Sequence, residues 1–279
     1  MGRPRRMMIA GIGLTGGLLA LVAFYGCRSL AVAVYPAPQT SLQAVELTQR
    51  ESGLRVGPLA EQGSLSAEAM WAPRPRRDQF LRFRSGDSEP DTVLRRTTIP
   101  QPADPPLRRI DLFVDTEQPE TTSALQRSAD GAIEITASNG AGIASTFEPA
   151  ALLLPAELRA GETIERDFEV SSRGKPFGRG AGAGVATVRG MGRQVIQVPA
   201  GVYSAFVFES EIAFKIGPAH ITLGQRAWVA PDTDGPGLVA EEGWERVTVF
   251  GLGVHDTKRV SVLEAADVAE PAPASEDPQ

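Results

Sequence analysis

The sequence predicts an all-β fold with minor α content: a curved antiparallel sheet forming a partial barrel, preceded by an N-terminal hydrophobic helix. Three observations predict it. Short runs that alternate apolar and polar residues, rich in Val, Ile and Phe, recur through residues 78–265, which is the period of a half-buried strand. Turn signals separate the runs at Gly174-Lys175-Pro176, Gly190-Met191-Gly192, Pro199-Ala200-Gly201 and Asp234-Gly235-Pro236-Gly237. Beyond Gln49, no stretch holds a helical period except 263–270. Many short strands at this spacing make a sheet that curls into a barrel or sandwich.

The chain starts with a leader over 1–27. Arg3, Arg5 and Arg6 precede an uncharged stretch over 7–27, and Arg28 restores charge. Signal h-regions span roughly 7 to 15 residues and membrane helices need about 20, so the length suits an uncleaved anchor. Gly26-Cys27 resembles a bacterial lipobox and makes Cys27 the lipidation candidate, although Phe24 and Tyr25 crowd a signal peptidase pocket. Ala31-Val32-Ala33 offers a small-x-small cut that releases a soluble protein. The three readings are lipid anchor, transmembrane anchor and cleaved secretion. All three place the domain outside the cytoplasm, and the leading arginines keep the N-terminus inside. Gly11, Gly13 and Gly16 match a dinucleotide fingerprint, but the first carboxylate after them is Glu46 and no βαβ unit follows, so a glycine-rich leader explains the match.

Residues 28–77, rich in Pro, Gly and Ser, read as a linker. Within it, 41–49 suit a short helix capped by Ser41. The β-rich domain covers 78–265, and 266–279 read as a disordered tail. The strongest strand pattern places Phe206, Phe208, Ile212 and Phe214 on one face, with Glu209 and Glu211 on the other. These apolar residues either fill a core or line a cavity that binds lipid. Ile164, Phe168 and Val170, with Arg166, oppose Thr163, Glu165, Asp167 and Glu169, a row that reads as a solvated face. Further strands are expected over 80–84, 92–98, 108–114, 131–136, 184–189, 193–198, 219–229, 237–241, 245–250 and 258–263.

A net charge of -6 and a pI near 5.2 argue against a nucleic-acid partner, which requires clustered Lys and Arg. Cys27 is the one cysteine, so the domain has no internal disulfide and no cysteine metal site. His220 and His255 are the two histidines, 35 positions apart, and no GxSxG elbow is present. Asp232-Thr233-Asp234-Gly235 lacks the closing Glu of a calcium loop and reads as a hairpin tip. The run Gly178, Gly180, Gly182 and Gly184 leads into a strand rather than a helix, so it reads as a flexible β connection rather than a phosphate cradle. No cofactor or metal is expected.

Three segments in order carry a resemblance. They are Leu152-Leu153-Leu154-Pro155 with Ala160-Gly161-Glu162-Thr163, then Val198-Pro199-Ala200-Gly201-Val202-Tyr203, then Trp228-Val229-Ala230-Pro231 with Gly235-Pro236-Gly237-Leu238-Val239. The series resembles a family of bacterial envelope domains of unknown function that is common in lipoproteins, over roughly 130–265. Ile164 stands where the family's pattern has Trp, and 232–235 form an insert. The resemblance implies a curved sheet wrapping part of a barrel, similar in outline to the lipoprotein carriers LolA and LolB, with Gly161, Pro199, Gly201, Trp228, Pro231 and Gly237 in structural roles at turns and strand ends. The expected function is a non-enzymatic, exported binding or scaffolding module tethered to a membrane. A carrier of lipid or another hydrophobic ligand is the alternative, and a hydrolase with a dispersed site is third. Expected partners are the membrane through the N-terminus, and lipid or another envelope protein.

Overall fold

A computed structural model describes residues 46–268, apart from 51–52, 72–76, 86–91, 102–106, 114–117, 120, 141, 175–177 and 231–236. The leader with Cys27, Pro231, the 232–235 insert and the residues after 268 lie outside the described residues. The chain opens with β1 (Thr48–Gln49), β2 (Arg55–Ala60), β3 (Ser64–Ser66) and the short helix α1 (Ala67–Trp71). There follow β4 (Arg77–Ser85), β5 (Thr92–Gln101), β6 (Leu107–Phe113), β7 (Thr121–Arg127), β8 (Ile133–Gly140), β9 (Ile143–Leu154) and β10 (Glu157–Arg159). The last six are β11 (Thr163–Gly174), β12 (Gly178–Val198), β13 (Gly201–Ile216), β14 (Ala219–Ala230), β15 (Gly237–Val249) and β16 (Leu252–Val268).

Twelve of these strands, β4 to β9 and β11 to β16, form an antiparallel meander whose first and last members pair, so the barrel is closed rather than partial. The closure depends on β16. Residues 263–268, expected as helix and tail, are strand instead, running from Arg259↔Ser85 to Val268↔Arg77 with a bulge between Leu263 and Ala265. The propensity of the Leu263 to Ala266 run for helix is worth only tenths of a kcal/mol per residue. Pairing it with β4 satisfies a whole row of backbone groups that would otherwise form an open edge.

The supposed linker 28–77 is, in its described part, woven into the fold. β2 pairs with the far end of β12, β3 pairs with β10, and Leu54, Val56, Leu65, Ala67 and Trp71 are buried. Of the helix expected over 41–49, residues 41–45 lie outside the described residues, and Thr48 and Gln49 are strand. β12 unites two expected strands and the glycine run. Gly190-Met191-Gly192 is a bulge in it rather than a turn. Its inward glycines let the neighbouring strands approach closely: a Cβ on Gly182 would overlap the Lys215 carbonyl, and one on Gly184 would lie 2.6 Å from the Phe168 ring and from Phe214 Cβ. The run is therefore a packing device within a strand. β7 and β9 escaped sequence reading. β7 buries Thr121, Ser123 and Leu125, a small polar face with little hydrophobic contrast.

Register places Phe147, Val170, Phe168, Phe214, Ile221 and Val247 on one continuous face of the curled sheet. All belong to one core, which also takes Leu65, Ala67 and Trp71 from the β3–α1 segment and Leu158 from β10. Arg108 ties α1 down by stacking on Trp71 at 4.6 Å and donating to the Trp71 carbonyl at 2.7 Å. These elements plug one end of the barrel. A second core forms on the reverse face of β13 and β14, where Val207 and Trp228 pack with Leu54 and Val56.

Candidate functional site

The barrel end opposite α1 carries a cavity of about 360 Å³. Its walls are Ile143, Ile216, Ala219, Ile221, Val247 and Val249, which arrive there because β9, β14 begin and β11, β13, β15 finish at this rim. Space exists because the rim is poor in side chains. Gly174, Gly178, Gly180 and Gly217 line it: nothing lies within 4 Å of a Cβ placed on Gly178 or Gly217, whereas a Cβ on Gly180 would overlap Ile216 and one on Gly174 the Gly142 carbonyl, so these two let the walls approach. Ser172 is the inward polar side chain of the lining and shares a hydrogen bond with Ser145 at 2.8 Å, whereas Arg173 and Arg179 border the cavity from outward, exposed positions of β11 and β12. Next to the cavity the β15–β16 hairpin raises three apolar residues into solvent: Phe250 is 82% exposed, Leu252 72% and Val254 51%. Phe250 adopts a left-handed φ of 52°, and its N–H donates to the carbonyl of Pro218, a cavity-lining residue, at 3.1 Å. That hydrogen bond fastens the exposed tip to the cavity's edge.

A polar seam crosses the same inner face. Arg259 lies across Gly243, flanked on β15 by the buried Glu241 and Glu245. Burial pushes the Glu241 carboxyl up to about 7, outweighing the opposing attraction of Arg259 and Arg96. Burial also lowers Arg96 from the usual arginine value, against the pull of Glu241. His255 Nε2 lies 3.0 Å from Thr257 Oγ1 and 3.6 Å from Glu245 Oε1. Both groups meet the same ring nitrogen, so the arrangement lacks the two-sided relay of a nucleophile–histidine–acid triad. His220 is exposed, paired in register with Lys215. Among the described residues no three His, Cys, Asp or Glu side chains converge as a metal site, and no helix is long and apolar enough to cross a membrane.

Phe206, Phe208, Ile212 and Phe214 are buried in the first core rather than in the cavity wall. Phe214 sits one residue pair below it, opposite the cavity-lining Ile221. Glu165, Asp167 and Glu169 face solvent. The described motif residues stand at turns and near strand ends. Gly161 holds φ 79° and donates its N–H to the Gly190 carbonyl at 2.8 Å. Pro199 lies in the β12–β13 turn that Gly201 closes, and Tyr203 Oη donates to the Ala200 carbonyl at 3.3 Å. Gly237 opens β15 at φ 74°. Trp228, 1% exposed, donates from Nε1 to Gln194 Oε1 at 2.7 Å, and Gln194 Nε2 donates to the Gly57 carbonyl at 2.6 Å, so this motif tryptophan pins β2 to the barrel. Sequence reading missed the cavity. The signals for it were the glycines ending β11 and starting β12, and the apolar hairpin around Gly251.

No family model matches the chain, and no curated protein matches it. Among solved structures it is similar to the hypothetical lipoprotein YmcC from Escherichia coli, at a TM-score of 0.31 and 12% identity over 69% of this chain and 89% of that chain.

Proposed function

We propose that this protein is a non-enzymatic, membrane-tethered module of the cell envelope that takes a hydrophobic ligand into the mouth of its barrel. The cavity carries the reading: an apolar chamber at the unplugged end, of a volume within the roughly 300 to 1,000 Å³ of small-molecule sites. The exposed Phe250, Leu252 and Val254 beside it support a mouth presented to other apolar matter, since exposed contiguous apolar groups mark interaction sites. The basic, apolar leader supports export and attachment. The lipid-anchor reading rests on Cys27, and mass spectrometry of the mature N-terminus tests it: an unmodified chain starting at Val34 removes both anchored readings.

Ligand binding is tested with the neutral fluorophore N-phenyl-1-naphthylamine and the Ala219→Trp variant. An indole at this lining position occupies the chamber, and the expected result is at least a tenfold loss of probe affinity, roughly 1.4 kcal/mol, with the melting temperature retained. Unaltered protein that takes up no probe, and that carries no bound hydrophobic mass in native mass spectrometry after purification from membranes, rules the carrier reading out.

A further inference from the structure

We infer that the rim around the barrel mouth docks on a lipid bilayer containing anionic phospholipid, with the Phe250 hairpin tip entering the acyl layer. This deepens the reading of the mouth above by naming what its rim meets. Docking does not need the cavity to hold a ligand, so failure of probe uptake and failure of docking are separate results. Neither backbone nor core selects phenylalanine at position 250: its left-handed φ favours glycine or asparagine, and its side chain lies in solvent. Leu252 and Val254 repeat that exposure on the strand leaving the tip. The adjoining turn, Ile216-Gly217-Pro218-Ala219, is also uncharged, and a Cβ on Gly217, Gly251 or Gly253 would meet nothing within 4 Å. A convex apolar tip suits a fluid hydrocarbon layer, whereas the strong contacts of protein partners are made in packed pockets.

Basic groups stand just behind the apolar turns. Arg173 and Arg179 flank the β11–β12 turn and Lys215 precedes the β13–β14 turn, all three exposed on the outer face of the barrel. Among the described residues none of them pairs with a carboxylate. Cations set back from a buried tip lie level with the headgroups, where each is worth roughly fivefold in binding to an anionic surface. The acidic residues of this rim belong to its other flank: the connections after β4 and β6 hold Asp87, Glu89, Asp91, Asp115, Glu117 and Glu120. Docking is therefore tilted, with the β11–β14 flank toward the headgroups and the β4–β7 flank in water. β2 joins the far end of β12, so the described chain begins at the opposite rim and a leader anchor does not by itself bring the tip to the bilayer. The 16 residues of β13 separate the rims by roughly 50 Å, and the chain between Cys27 and Glu46 extends to about 60 Å, so both can meet one bilayer.

The test uses the full chain carrying Phe250→Trp, mixed with vesicles of phosphatidylcholine and about one-fifth phosphatidylglycerol whose acyl chains bear bromine, a contact quencher of indole. The unaltered chain in the same vesicles supplies the emission of Trp71, Trp228 and Trp244 for subtraction. Expected is at least about a twofold loss of the added emission relative to unbrominated vesicles, and a smaller loss in pure phosphatidylcholine or at high salt. Adding Arg173→Gln, Arg179→Gln and Lys215→Gln together reduces the quenching to the pure phosphatidylcholine level with the melting temperature retained. Adding Leu252→Ser and Val254→Ser instead weakens it in both lipid mixtures. Absence of quenching, whether or not the chain floats with the vesicles, overturns the docking. Quenching that is equal with and without phosphatidylglycerol, or unchanged in the triple glutamine variant, overturns the anionic surface as the partner. Emission that lipid leaves unquenched but that shifts to the blue as protein concentration rises shows a second copy covering the tip, and overturns the bilayer as well.

Discussion

Replacing Phe168 by alanine lowers the stability of the barrel by about 3 to 5 kcal/mol, the range for removing a fully enclosed phenylalanine. Phe168 is 2% exposed and stands where three rows of the core meet. Its ring meets Phe147 edge-on at 5.7 Å and Phe214 at 6.2 Å, and it fills the hollow that Gly184 leaves in β12. The bulges and the turn chemistry are untouched, so the lost term is packing alone. Chemical denaturation reads it. A change below about 1 kcal/mol means that the neighbouring rings collapse into the space and that the core is looser than its burial indicates.

The second large effect is on the pH dependence of stability. A carboxyl raised from 4.5 to about 7 by burial holds its proton in the folded state across an interval where the unfolded chain has lost it. Its contribution is therefore fully present below about pH 4.5 and is lost as pH rises through 7, a decline of about 3 kcal/mol in all. Glu241→Gln keeps the shape and removes the titration. The variant is expected to gain on the unaltered protein steadily between pH 5 and pH 8, as read by paired denaturation curves. A difference that stays flat over that interval shows that Arg96 and Arg259 hold Glu241 ionised throughout, and the assigned direction fails.

The fold class was legible because Phe206 to Phe214 and Ile164 to Val170 alternate in sequence, and burial follows that alternation over 208–214 and 163–170, while Val207 is buried as well, in the second core on the reverse face. Closure was not legible, because it depends on one long-range strand pairing, β16 with β4, that ends in an alanine-containing run whose local preference is helical. The glycines of β12 read as a flexible connection because sequence shows their backbone freedom and not the Phe168 ring or Lys215 carbonyl pressed against them. The segment before Arg77 read as a linker because its prolines and glycines speak locally, whereas Leu54, Leu65 and Trp71 gain burial only from distant strands. The cavity was hidden for the opposite reason: glycines form much of its lining, and periodicity registers only side chains that are present.

The seam between β4 and β16 has a consequence in time. Every other join in the barrel links strands that follow one another along the chain, with β10 alone stepping aside to pair with β3. Such hairpins zip locally, while the seam spans nearly the whole described chain and bears the loop-closure entropy by itself. The partner that completes it, Leu252–Val268, follows every other strand of the barrel along the chain and so is made after them. Until it arrives, the meander keeps two raw edges and cannot shut.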